Sequence, residues 1–149
     1  LFTYDFFSAL LDREYYSKMD YSINDIFERL RTSYLIQIEL MKQYPKILDF
    51  AKLSARTKSD EINAALEERE KRRKTYEIFD MIDTTKFRAD LNIEKCKQFI
   101  LWANIGFTEE ILDDIRKSKY QNLDYSHIVE ILDDYFAELR KVFYEPAYR

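Results

Sequence analysis

Glycine and proline are nearly missing from this sequence, which has one glycine, Gly106, and two prolines, Pro45 and Pro146, in 149 residues. Strands and hairpins need such punctuation, so the chain reads as all-α with short connections. Cysteine is just as scarce. Cys96 stands alone and excludes an internal disulfide, and with His127 as the one histidine the common nitrogen and sulfur metal sites cannot be assembled within one chain. No metal and no cofactor are expected, and the absence of disulfides points to a reducing compartment, the cytoplasm. Long apolar runs are lacking too. The uncharged stretch Phe99–Phe107, FILWANIGF, is about half of the ~20 residues that span a bilayer, and no signal-peptide pattern opens the chain, so no membrane partner is expected. A basic excess is also absent. With a net charge of -4, the chain is not expected to hold DNA by itself, because phosphate binding wants a concentrated basic face.

Catalytic signatures are missing in the same way. There is no nucleophile elbow, no glycine-rich phosphate loop and no HExxH. The two ILDD strings put Asp113, Asp114, Asp133 and Asp134 away from the apolar stripes, which makes them solvent-facing charges rather than a magnesium site. A carboxylate di-metal site would want Glu-x-x-His pairs, and His127 has Asp124 before it and no second histidine. Cys96 falls on a core stripe as an inert buried thiol. No enzyme is expected.

What remains is a set of amphipathic helices. The periodicity predicts a first helix over roughly 2–18. Ser22 with Asp25 three residues on reads as a capping box opening a second helix to about Gln43. Pro45 opens a short third to about Ala55, and Thr57 with Asp60 caps a long fourth to about Ile82. Asn92 caps a fifth running to about Lys117. Asp124 caps a sixth that ends near Tyr144, before Pro146.

Helix faces say what each helix buries. At ~100° per residue the second helix has a stripe of Ile23, Phe27, Leu30, Tyr34, Ile38 and Met41. The fifth carries one stripe of Ile93, Cys96, Ile100, Ala103, Phe107 and Ile111, and a second of Leu101, Ile105 and Leu112. On the sixth, the apolar residues from Ile128 to Phe143 fill an arc of roughly 160°, wider than the ~100° that core packing asks for. The excess reads as an oligomer interface, made of Leu101, Ile105, Leu112, Ile128, Ile131, Tyr135, Leu139 and Val142. Gly106 costs the fifth helix about 1 kcal/mol of propensity against alanine, and close approach of another helix is a physical reason to tolerate it.

These strings together resemble a known family. LFTYDFF at the start, YSINDIFERLR (Tyr21–Arg31), KQYPKILDF (Lys42–Phe50), IDTTKFRADLNIEK (Ile82–Lys95) and FILWANIGF are similar, in this order, to the C-terminal regulatory domain of tetracycline-repressor-like (TetR/AcrR) transcriptional regulators of low-GC bacteria. The resemblance covers essentially the whole chain. It implies a six-helix ligand-binding and dimerisation domain over 1–149, a homodimer in which the last two long helices form a four-helix bundle, and a small-molecule effector among the middle helices. It also implies that a helix-turn-helix domain precedes Leu1 and is absent from this chain, so that DNA is a partner only through that domain. Ligand binding then changes the separation of the two DNA-reading heads, which requires that the ligand favour one arrangement over the other.

Within that picture the candidate effector residues are Tyr34, Gln37, Ile38, Met41, Phe50, Arg73, Tyr76, Phe79, Phe99 and Trp102. Gln37 is a polar residue on the apolar side of its helix, and its amide needs partners. A ligand could supply one, and so could a neighbouring side chain or carbonyl. Arg69 and Arg73 continue the apolar stripe of Ile62 and Leu66, where a guanidinium could pair with an anionic ligand or lay its stem over apolar surface. The aromatics could line a cavity for a planar molecule or simply fill the core. Two other function classes compete: a helical module that binds another protein through its extra apolar surface, and, more weakly, a small helical enzyme.

Overall fold

The computed structural model describes residues 9–10, 12–44, 78–118 and 124–149, and these divide between two compact units, Leu1–Asp80 and Met81–Arg149. The described regular structure is helical, with one isolated bridge in place of any sheet. The expected third helix and most of the fourth lie outside the described residues.

In the first unit, residues 12–14 are helical and then tighten into a 3-10 turn at Tyr16–Lys18, so the long opening helix expected to run through Lys18 instead ends in a narrower turn. Helix α1 follows at Ile26–Gln43. Its cap is not the expected one. Ser22 turns back and bonds Asp20 through both its backbone N–H, at 3.0 Å, and its hydroxyl, at 2.5 Å, whereas Asp25 accepts from the N–H groups of Phe27 and Glu28. The reason is local. Asp20 holds Ser22 in a tight turn, and the carboxylate read as the far end of a capping box is itself the N-cap. The expected stripe on α1 is buried from Phe27 through Leu30, Tyr34 and Ile38 to Met41, with Ile26 added to it. Each such side chain stabilises the fold by about 1.5–3 kcal/mol relative to leaving it in water.

Arg29, which no apolar stripe singles out, is wholly buried on α1. Its guanidinium meets backbone oxygens rather than a carboxylate. Nε donates to the carbonyl of Ile23 at 2.8 Å, Nη1 to those of Ile78 at 2.8 Å and Asp80 at 2.5 Å, and Nη2 to that of Tyr21 at 3.2 Å. The Tyr21 ring lies under the cation, 5.8 Å away at its centroid. Arg29 therefore ties the segment before α1 and the segment 78–80 to one point on the helix. Residues 78–81 form a turn rather than the end of the expected fourth helix, and Met81 sits at φ 56° with its side chain 90% exposed. A left-handed residue cannot continue a right-handed helix.

The second unit is a helical hairpin closed by its flanking segments. Helices α2 (Ile93–Lys117) and α3 (Tyr125–Phe143) have the bounds and caps the sequence predicts: Asn92 accepts from the N–H of Lys95, and Asp124 from that of His127. Phe107 and Tyr135 stack at 4.1 Å with 14° between their planes. Both lie equally far from the connection between the helices, so α3 folds back antiparallel to α2. Cys96, Ile100 and Ile115 of α2 and Leu132, Phe136 and Phe143 of α3 are buried. Beyond the helix ends, Phe87 and Tyr144 form an antiparallel bridge. It is fixed by Arg88 N–H to the Phe143 carbonyl and Glu145 N–H to the Lys86 carbonyl, each at 2.9 Å. Phe87 and Tyr144 are buried edge to face, with centroids 5.1 Å apart. Arg88 reinforces the join by donating to the Val142 carbonyl while pairing with Asp90 at 3.2 Å. A final 3-10 turn occupies Pro146–Tyr148.

Candidate functional site

Two regions can do more than hold the fold: an open apolar face on the second unit and a polar chain in the first.

The wide apolar arc of α3 divides lengthwise. Leu132, Phe136 and Phe143, on one side of it, are buried. Ile128, Ile131, Tyr135, Leu139 and Val142, on the other, stay partly or largely open, with Val142 52% exposed. On α2 the second stripe behaves alike: Leu101 and Leu112 are half-buried and Ile105 is 48% exposed. The eight residues expected at an oligomer interface thus lie on two helices of one unit, and none of them is buried. Two antiparallel helices that each keep an apolar stripe open are elements from which two copies can build a four-helix bundle.

In the first unit, Tyr15, Ser33 and Gln37 form a chain of hydrogen bonds. The Tyr15 hydroxyl lies 2.6 Å from Ser33 Oγ, and Gln37 Nε2 donates to the same oxygen at 3.1 Å. Helical spacing explains the second contact, since Ser33 and Gln37 are one turn apart on α1. Burial raises the Tyr15 pKa above its ordinary value, against a smaller opposing effect of the Ser33 bond. The amide nitrogen of Gln37 thus has a neighbouring side chain for a partner, and its carbonyl Oε1 keeps its capacity to accept. Tyr34, Ile38 and Met41 are buried on the same helix, and Phe79 is half-buried at the end of the unit. Phe50, Arg73 and Tyr76 lie outside the described residues. Phe99 and Trp102 belong to the second unit, 51% and 59% exposed, with ring centroids 5.9 Å apart. Ser33 and Tyr15 escaped the reading of the sequence. The signal available for Ser33 was its place one turn before Gln37, while nothing marked Tyr15, which reaches it from eighteen residues away.

Other sequence expectations can be placed. Cys96 is buried, and burial pushes its thiol pKa up, which disfavours the reactive thiolate. Asp113, Asp114 and Asp134 are exposed, and Asp133 is half-buried. Among the described residues no acidic, histidine and cysteine side chains cluster to hold a metal, and no helix is long and apolar enough to cross a membrane. A Cβ built on Gly106 meets nothing within 4 Å, so no described residue approaches it closely.

Comparison of the chain with protein-family models, curated proteins and solved structures finds no match.

Proposed function

We propose that this chain is the regulatory domain of a TetR-like transcriptional regulator. In this reading it dimerises through the open faces of α2 and α3, binds a small, mostly apolar or aromatic effector, and passes that event to a helix-turn-helix domain that is not part of these residues. The observation that carries the reading is that each of the two helices keeps an open apolar stripe, Leu101, Ile105 and Leu112 on α2 and Ile128, Ile131, Tyr135, Leu139 and Val142 on α3. Apolar surface left in water on this scale is uncommon on a monomer. The order of family-like strings along the chain supports it as well. The effector site is placed on α1, where Tyr34, Ile38 and Met41 supply apolar surface and the Gln37 carbonyl supplies an acceptor for a donor group on the ligand. The regulator acts in the cytoplasm, and as a sensor rather than an enzyme.

Sedimentation equilibrium of the chain tests the dimer. Self-association that loses one step of pairing in Leu139→Glu, because the α2 and α3 face no longer closes, is the expected result. A monomer at all concentrations overturns the reading. A thermal-shift screen of planar aromatic compounds tests the effector. Compounds that raise the midpoint should lose their effect in Gln37→Leu if the amide takes part in binding.

A further inference from the structure

Helix α2 has a third face that neither the hairpin core nor the proposed dimer uses. Lys95, Phe99, Trp102, Gly106, Glu109 and Asp113 follow one another at steps of four, three, four, three and four residues, and all six are exposed. That alternation is the two-positions-per-heptad seam of a coiled coil, a narrow stripe within about 80° of the helix circumference. Its spacing reads the same from either end, so an antiparallel copy of the helix meets it in register. Its charges do not read the same: the cation is at the start and the carboxylates at the end.

We infer that this stripe is a second self-association surface, on which α2 pairs antiparallel with α2 of another copy of this chain. The two-fold axis passes between Trp102 and Gly106, at the midpoint of the stripe. Trp102 then lies over the partner's Gly106, Phe99 covers the stem of the partner's Glu109, and Lys95 faces the partner's Asp113, each contact occurring twice because the interface is isologous. A parallel pairing would set Glu109 and Asp113 against their own copies, so the charges select the antiparallel arrangement. Asp113 meets Arg116 of its own helix at 3.5 Å, the outer limit of a hydrogen bond, and is open to a better-placed cation. The inference also gives Gly106 a reason. Its backbone is bare on the one face where Phe99 and Trp102 project, and no atom of the described residues occupies that space. An indole laid on bare helix backbone allows the two axes to approach more closely than any side chain at that position would permit. Trp102 is the kind of large, rigid anchor that dominates interface energetics.

This contact does not depend on the effector or on the open α2 and α3 face, and the two surfaces are tested apart by working in the Leu139→Glu background. Sedimentation equilibrium of the 149-residue chain carrying that change should show monomers pairing into dimers, while the chain without it pairs further into tetramers. Trp102→Ala should weaken the pairing at least tenfold. Lys95→Glu and Asp113→Lys should each weaken it severalfold, and the two together should restore it. Gly106→Ala gives effects of opposite sign: a higher thermal midpoint for the chain, because alanine is the better helix former, with weaker pairing. Trp102 emission should shift to the blue as concentration rises. Pairing unchanged by Trp102→Ala, a charge-exchanged double variant no better than the single ones, or no pairing at all in the Leu139→Glu chain would overturn the inference.

Discussion

The two units solve the same problem with different chemistry. In the second, apolar side chains and helix caps build the hairpin: Leu132, Phe136 and Phe143 are buried, and the flanking segments join through backbone hydrogen bonds at Phe87 and Tyr144 and through Arg88 on the Val142 carbonyl. In the first, a cation is used as a backbone organiser. Arg29 offers its fork of donors to four carbonyls that no helix or strand satisfies, those of Tyr21, Ile23, Ile78 and Asp80. Burying a guanidinium is costly, and desolvation lowers its pKa accordingly. What offsets the cost is four charge-assisted hydrogen bonds from one side chain to backbone carbonyls that lie outside any helix. The comparison teaches where the polar cross-tie sits: in the first unit it is a buried guanidinium at the centre of the packing, in the second an arginine at the exposed rim of the hairpin.

The contrast can be broken from either side. Phe136→Ala should have the largest effect, destabilising the hairpin unit by about 3–5 kcal/mol, the usual cost of emptying an aromatic core site. Denaturation followed by the fluorescence of Trp102, which reports on that unit, measures it. Next comes Arg29→Met, which keeps the apolar stem and removes the donors, at about 3 kcal/mol. The sharper outcome is where the loss appears. The midpoint by far-ultraviolet circular dichroism should fall below that seen by Trp102, and coincident midpoints would mean that the two units unfold as one. Tyr15→Phe should cost about 1 kcal/mol, the net worth of one partly buried hydrogen bond, with the Trp102 signal unchanged.

The smallest effects are in pH. In the second unit, the hydroxyl and N–H of Thr85 hold the Asp83 carboxyl below its usual pKa, and the Arg88 guanidinium does the same for Asp90; in the first, Ser22 does so for Asp20. A depressed folded-state pKa means stability that is present above the unfolded value of about 3.9 and lost as pH falls through the folded one. An acid titration should therefore loosen the segment 83–90 and the turn at Asp20, visible as faster amide exchange there. The raised pKa values of Tyr15 and Cys96 have the opposite sign. Their contributions are complete below the unfolded values of about 10 and about 8.5 and are lost as pH rises through the folded ones, so alkaline titration should reach the hairpin through Cys96 before it reaches the Tyr15 contact on α1.

Legibility followed the same division. The bounds of α2 and α3, with their caps Asn92 and Asp124, were readable because a polar cap before a strong 3.6-residue period is a local signal. The buried stripe of α1 was readable for the same reason. Around Ser22 the local signals competed: Ser22, Asp20 and Asp25 can each serve a turn or a cap, and only their hydrogen bonds distinguish them. Arg29 was invisible because its partners are backbone carbonyls, which every sequence supplies equally. The function of Gln37 was only half legible. An amide on an apolar face announces that it needs partners, but not that Ser33 provides one.

Composition and periodicity determined by themselves that this protein is helical, that no disulfide staples it, and which faces of α2 and α3 are apolar. These are properties of neighbouring residues, and physical chemistry acts on them without knowledge of distant ones. The tertiary structure decided which part of each apolar face stays open, how Arg29 gathers to itself a segment some fifty residues further along the chain, and that Gly106 borders an exposed aromatic stripe with no close neighbour among the described residues. Each of those depends on which surfaces remain after the core is full.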